Sequence, residues 1–160
     1  MKMQTVLFGF IAMLMLSPLS VHAAPPDTDT AKPDPCALFK PDELAKLLGG
    51  TPVAKAKGAS CSWSVEGSSR KLIALKYPGT GMAADMAYMS AKKNAAKGGT
   101  VTNEAGLGDS AYSRMESFGV SLVAIKQGHL IQLQYGAGVA GTAKDLEDLR
   151  PVAKKAIEGL

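Results

Sequence analysis

The stretch SCSWSVEGSSRKLIALKY, residues 60 to 77, decides the fold of this chain. Between residues 60 and 66 serines alternate with larger apolar residues, which is typical of a strand that is buried on one face. A turn-forming Gly-Ser-Ser follows, and residues 71 to 77 are a second apolar segment of strand length. The stretch therefore predicts an antiparallel hairpin. Its inward-facing side chains are predicted to be Cys61, Trp63, Val65, Ile73, Leu75 and Tyr77.

Three helical patterns surround this hairpin. The first helix is predicted to begin at Pro41 and to end at two glycines, with a stripe of leucines along one face. A second, alanine-rich helix is predicted over residues 82–97. A third helix begins after Thr142, whose hydroxyl can cap it, and Pro151 is expected to kink or restart it. We expect Trp63 to pack against the leucine stripe of the first helix.

Three further strands complete the predicted elements. They cover residues 111–115, 120–126 and 130–135. The element order is then αββαβββα, and the short links between strands favour antiparallel neighbours. We therefore predict a single α+β domain over residues 36–160, with an antiparallel sheet of about five strands and helices packed on one face.

Residues 1–23 predict a signal peptide. Lys2 precedes an uncharged apolar run, and Val21 and Ala23 stand at the −3 and −1 positions that a signal peptidase reads. The run is shorter than the about 20 residues of a membrane span. We expect cleavage after Ala23 and a periplasmic or secreted protein without stable membrane insertion. Residues 24–35 contain four prolines and predict a disordered tether.

The charge of the exported part is modest. Without Lys2, 17 lysines and arginines stand against 14 aspartates and glutamates, which gives a net charge of +3. Basic residues occur as scattered pairs, whereas a nucleic-acid surface needs a continuous basic stripe. Nucleic acid is therefore not an expected partner.

The chain has two cysteines, Cys36 and Cys61, and both follow the leader. In an oxidising compartment such an even pair is most simply a disulfide. A bond closing this loop would stabilise the domain by roughly 3.5 kcal/mol according to the chain-entropy relation.

One motif of nucleotide-binding type occurs in the sequence. GAGVAG, residues 136 to 141, matches GxGxxG. A dinucleotide fold also needs a parallel strand after the following helix, with an acid about 20 residues on, and the sequence offers none. We therefore expect a flexible structural connection and no cofactor.

Two groups of residues carry weaker functional hypotheses. Met82, Met86 and Met89 fall on one face of the second helix, and soft thioethers can hold Cu(I). Methionine is also a common filler of irregular cores, so we expect these three in the core and predict no metal site. His129 with Asp109 is the one conceivable acid–base pair. We expect His129 to be an ordinary surface histidine and predict no catalytic residues.

Several short motifs carry a resemblance to a known family. In chain order they are DPCALF at 34–39, PDEL at 41–44, LLG at 47–49, CSW at 61–63 and GLGDSAY at 106–112. Together they resemble the uncharacterised exported domains of many bacterial envelope lipoproteins, whose fold is similar to the extracellular sensor domain of mycobacterial serine/threonine kinases. The resemblance implies a bond between Cys36 and Cys61, an antiparallel sheet with a shallow cleft, and no known enzymatic activity. The chain departs from the family in lacking a lipid-anchoring cysteine and in having Lys40 where a threonine cap is usual.

The sequence as a whole predicts a non-catalytic exported protein that binds an envelope protein or a small ligand. An immunity or inhibitor protein against an envelope-targeting toxin is the alternative. Inhibitors of basic lysozymes tend to need an acidic face, so the net charge of +3 argues against that target. A copper-binding periplasmic protein and a small hydrolase are further alternatives.

Overall fold

The computed structural model describes residues 34–160. The predicted signal peptide, 1–23, and all but the end of the predicted tether, 24–35, lie outside the described residues. Within the described part, none of the helices has the length and apolar composition needed to cross a lipid bilayer.

The described chain folds into three α-helices and one antiparallel sheet of seven strands. A short 3₁₀ turn, Pro35–Leu38, precedes the first helix. The helices are α1 (Pro41–Leu48), α2 (Met82–Lys97) and α3 (Ala143–Glu158). The strands are β1 (Val53–Lys57), β2 (Ser60–Ser64), β3 (Lys71–Thr80), β4 (Thr102–Asn103), β5 (Ser110–Glu116), β6 (Gly119–Lys126) and β7 (His129–Gly136). Their order across the sheet is β1-β2-β3-β7-β6-β5-β4.

The α+β class is confirmed, but the strand count and the element order were wrong. The chain runs αβββαββββα, because β1 and β4 are strands that the pattern did not predict. The sequence of β1 is VAKAK and every residue in it is exposed; its alternation places only alanines on one face, so no face of large apolar side chains marks the strand. The strand β4 has only two residues and pairs with β5 at the sheet edge. Both unpredicted strands therefore lie at the edges of the sheet, where a strand needs no buried face.

The sheet is buried on both faces, so the prediction of helices on one face was wrong. In β6, Val120 and Leu122 belong to the main core with α1 and α3, whereas Val123 and Ile125 belong to a second cluster with α2. Successive side chains of a strand point to opposite faces, so α2 lies on the face opposite α1 and α3. Seven of the eight residues of β6 are buried, which explains the absence of a clean alternation in its sequence.

The hairpin of β2 and β3 forms as predicted. The buried side chains of β3, however, are Leu72 and Ala74 and not the predicted Ile73, Leu75 and Tyr77. Trp63 is paired with Leu72 and Cys61 with Ala74, and Leu72 and Ala74 are the buried residues of β3. Leu75 lies on the other face and is exposed. Both alternating sets of β3 are apolar, so period two alone could not select the buried one.

Trp63 and the disulfide lie together in the main core, as predicted. Cys36 and Cys61 are bonded, with their Cα atoms 5.1 Å apart. The Trp63 side chain is fully buried and meets the Phe39 ring edge-on, with ring centroids 5.3 Å apart. The α1 leucines belong to the same cluster, and the buried Tyr135 hydroxyl donates a 3.1 Å hydrogen bond to the Leu47 carbonyl. These contacts fix α1 against the sheet.

Helix α3 begins at the predicted cap and continues through its proline. The Thr142 hydroxyl accepts from the Asp145 amide, and the Asp145 carboxylate accepts from the Thr142 amide. Pro151 lies inside the helix without ending it. Because proline has no N–H, the Glu147 carbonyl one turn earlier has no intrahelical donor.

Candidate functional site

A groove of about 550 Å³ opens between α1 and α3. Phe39 and Leu47, both buried, and the half-buried Val152 form its apolar floor, with Pro151 beside them. The floor exists because the apolar stripes of α1 and α3 turn toward the same sheet face, which leaves their flanks side by side. Charged side chains from both helices form the rim. The groove therefore combines an apolar base with a polar border, which is the usual composition of a ligand site.

Two lysines engage the three carboxylates on this rim, Glu43, Glu147 and Asp148. Lys155 of α3 bridges to Glu43 of α1, Nζ to Oε1, at 2.7 Å. This hydrogen bond and that from the Lys40 amide hold the pKa of the Glu43 carboxyl below its ordinary value. Within α3, Lys144 pairs with Asp148 at 2.7 Å, and the hydrogen bond to that carboxylate raises the pKa of Lys144. Lys144 also lies 3.7 Å from Glu147, so one lysine serves two carboxylates, and the groove holds three acidic groups against four cations.

Two cations on the same groove are not compensated. Lys46 of α1 and Arg70 both line it, and neither has a carboxylate within 4.0 Å in the described part of the chain. Arg70 lies at the end of the turn before β3, where its amide donates to the Ser68 hydroxyl at 3.1 Å. The groove consequently presents net positive charge beside an apolar floor.

Family models, curated proteins and solved structures were all compared with this chain. Nothing matches it. The resemblance to exported envelope domains therefore stays a prediction, and the groove has to be interpreted from its own residues.

The structure does not assemble an acid–base pair from His129 and Asp109. Asp109 Oδ2 accepts a 2.6 Å hydrogen bond from the Gln127 amide, so its carboxylate holds the turn between β6 and β7. His129 lies at the start of β7 and lines a separate cavity of about 240 Å³ with Tyr77 and Pro78. Asp109 lines a different, smaller cavity, so the two side chains do not share a site.

The placement predicted for the three methionines of α2 was wrong. Met82, Met86 and Met89 are 78%, 67% and 66% exposed, whereas Ala84 and Tyr88 are the buried residues of the helix. Ala84 and Tyr88 face the sheet, which leaves the three methionines on the opposite side of α2. The methionines are not needed in the core, because alanine and tyrosine fill the space under α2 without a long aliphatic side chain.

Two of the three glycines of GAGVAG, Gly136 and Gly141, serve close packing, which corrects the expectation of a flexible connection. A Cβ on Gly141 would lie 1.9 Å from the Gly119 carbonyl oxygen, and one on Gly136 would lie 2.3 Å from the Phe118 oxygen. The Gly141 amide also donates to the Glu116 carbonyl at 2.9 Å. The motif therefore fixes the loop before α3 against the turn between β5 and β6.

The GLGDSAY motif also has a structural explanation. The Asp109 amide donates to the Ile125 carbonyl at 2.8 Å, and a Cβ on Gly108 would come 2.4 Å from the same oxygen. Leu107 and Tyr112 are buried on either side of this contact. The motif thus starts β5 against β6 and contributes no side chain to the groove.

Sequence reasoning missed the groove because its residues are distant in the chain. Lys46 lies beside the α1 leucine stripe, Arg70 lies in the hairpin turn, and Val152 lies in α3. Each has an unremarkable local context, and only the packing of the two helices brings them together. No local motif would have found this site.

Proposed function

We propose that this protein is a non-catalytic binding protein of the bacterial envelope, and that the groove between α1 and α3 takes an anionic ligand with an apolar part. The observation that carries the proposal is the pair of uncompensated cations, Lys46 and Arg70, beside the apolar floor. An arginine guanidinium offers two parallel donors that match a carboxylate. An apolar side chain of the ligand would cover Phe39 and Val152.

The charge balance of the rim favours an anion over a cation. Glu43 is held by Lys155, whereas Asp148 and Glu147 share Lys144, so the groove carries four cations against three carboxylates. A cationic ligand would find one carboxylate, Glu147, that shares its lysine, and would have to displace a lysine to reach Glu43 or Asp148. An anion meets Lys46 and Arg70 without breaking an existing pair.

The framework of the groove supports a preformed site. Buried leucines and the Tyr135 hydrogen bond fix α1, and the disulfide anchors the segment before it. The Lys155–Glu43 pair joins the two helices across the groove. Since the walls are held from both sides, little ordering cost accompanies binding.

We also propose that the chain is exported, which places this site at the envelope. The leader pattern of residues 1–23 is the basis, and the Cys36–Cys61 bond supports it because disulfides persist in oxidising compartments. N-terminal sequencing of the exported form should begin with APPDT. A mature chain that keeps the apolar run and stays in the membrane fraction would contradict export.

The ligand class is tested with matched peptide libraries. N-acetylated tripeptides ending in Leu or Phe, with either a free carboxylate or an amide at the C-terminus, are titrated calorimetrically. We expect carboxylates to bind and amides to bind more weakly. Loss of one good charge-assisted contact, worth about 1.4 kcal/mol, should weaken the affinity about tenfold.

The matched control variant is one residue away. Arg70→Ala should lower the affinity for the carboxylate peptides, whereas Lys71→Ala should not. Both residues are exposed cations, but only Arg70 lines the groove. Equal affinities of the two variants and the unaltered protein would contradict the proposal, as would equal binding of amides and carboxylates.

A further inference from the structure

The most unusual exposed surface of the described chain is the methionine stripe of α2, defined as Met82, Met86 and Met89. Exposed fractions of 78%, 67% and 66% are large for apolar side chains. Their spacing of four and then three residues places them next to one another along one helix face. The helix contacts the sheet through its opposite face, where Ala84 and Tyr88 are buried. The stripe therefore has no role in the packing of the domain.

The geometry points to a Cu(I) site formed by the three thioethers of this stripe. With a rise of about 1.5 Å per residue, successive members are about 6 Å and 4.5 Å apart along the helix axis. Methionine side chains are long and unbranched, so three sulfur atoms on one face can turn toward a common ion. Soft thioether ligands select Cu(I) over the harder divalent metals.

The surrounding groups are consistent with a sulfur-only site. The described chain brings together no three His, Cys, Asp or Glu side chains that could hold a metal, so a harder site does not compete. Both cysteines are bonded to each other and supply no thiolate. Asp85 lies in the first turn of α2 beside the stripe, and its charge offsets the positive end of the helix dipole that a cation would meet.

The sulfur chemistry can be separated from simple hydrophobicity by substitution with leucine. The variant M82L/M86L/M89L keeps an apolar stripe and a good helix former at each position but removes the three thioethers. Met115→Leu, on the exposed end of β5, is the control. Methionines outside the stripe are the same in the triple variant and the unaltered chain, so a difference between these two isolates the stripe. Circular dichroism establishes that all variants are folded.

The test is an anaerobic titration of the full chain with Cu(I) in competition with bicinchoninate. We expect the unaltered chain and Met115→Leu to hold one more Cu(I) than the triple variant, with X-ray absorption showing sulfur neighbours only. Ag(I), which is not redox-active here, should occupy the same site. Equal Cu(I) uptake by the triple variant and the unaltered chain would overturn the proposal. Nitrogen or oxygen as the main copper neighbours would overturn it as well.

Discussion

Arg150 of α3 holds the Glu104 carboxylate through two parallel hydrogen bonds, Nε to Oε2 at 2.8 Å and Nη2 to Oε1 at 3.1 Å. The Ser113 hydroxyl of β5 donates a third, at 2.6 Å, to the same carboxylate. The Glu104 side chain is only 7% exposed. This cluster joins the C-terminal helix to the edge of the sheet, on residues that are 46 positions apart in the chain.

Glu104→Gln should destabilise the domain by about 1–3 kcal/mol, because it removes the charge from hydrogen bonds made to a shielded carboxylate. Arg150→Lys should cost less than Arg150→Met, because lysine keeps the charge but not the two-pronged geometry. Urea unfolding followed by circular dichroism measures both. Identical stabilities of the three variants and the unaltered chain would show that the cluster contributes nothing.

The same cluster predicts a pH dependence of stability. The hydrogen bond from Arg150 holds the pKa of the Glu104 carboxyl below its ordinary value of 4.5. Because the pKa is lower in the folded state, the stabilisation is fully present above about pH 4.5 and is lost as the pH falls through the folded-state pKa. Thermal unfolding between pH 7 and pH 3 should therefore show a steeper loss for the unaltered chain than for Glu104→Gln. Parallel curves would contradict this assignment.

Trp63→Ala should cost about 3–5 kcal/mol, since it empties a fully buried site. Trp63→Phe should cost much less, because the ring keeps most of the contact with Phe39 and the lost indole Nε1 has no hydrogen-bond partner within the described residues. Circular dichroism in urea compares the two variants. In the unaltered chain, tryptophan emission should be blue-shifted and poorly quenched by iodide, whereas strong quenching would mean that Trp63 is exposed.

Reduction of the Cys36–Cys61 bond should lower the free energy of unfolding by roughly 3.5 kcal/mol, as expected for a loop of this length. The double variant C36A/C61A should lose at least as much, because it also removes the buried Cys61 sulfur, and it separates the cross-link from any effect of the reductant. An unchanged urea midpoint after verified reduction would contradict this stabilising role.

Asp109→Ala should destabilise the domain by about 0.5–1.5 kcal/mol, because the exposed Gln127 amide exchanges its carboxylate acceptor for water. Gln127 has a φ of 50°, so the turn needs that support. His129→Ala is the control and should stay within about 0.5 kcal/mol, as most substitutions away from core features do. A large effect of His129→Ala with none from Asp109→Ala would reverse this interpretation of the turn.

The helices were predictable from the sequence because their start and stop signals are local. Pro41 begins α1, Gly49 ends it in a left-handed conformation with φ of 82°, and the Thr142–Asp145 capping box begins α3. The burial of Trp63 was also predictable, because it follows from the alternation of its own strand. The disulfide was predictable because the chain has only two cysteines. These features needed no knowledge of the partner elements.

The sheet edges, the second covered face and the groove depend on tertiary packing instead. The alternating Ala and Lys of β1 give no face of large apolar side chains, and β3 has apolar residues on both faces. The methionine stripe was misplaced because Tyr88 and small residues were sufficient to fill the space beneath α2. Arg70 comes to line the groove only when the hairpin and the two helices pack on the same sheet face.

The groove between α1 and α3 is the proposed binding site for a carboxylate with an apolar neighbour. The most direct test of this proposal is a ¹⁵N–¹H chemical-shift map of the unaltered chain titrated with N-acetyl-Gly-Gly-Phe as the free acid and as the amide. We expect saturable shifts centred on Lys46, Arg70 and Val152 with the acid, and weaker shifts with the amide. Shifts that centre on another surface, or that are the same for acid and amide, would contradict it.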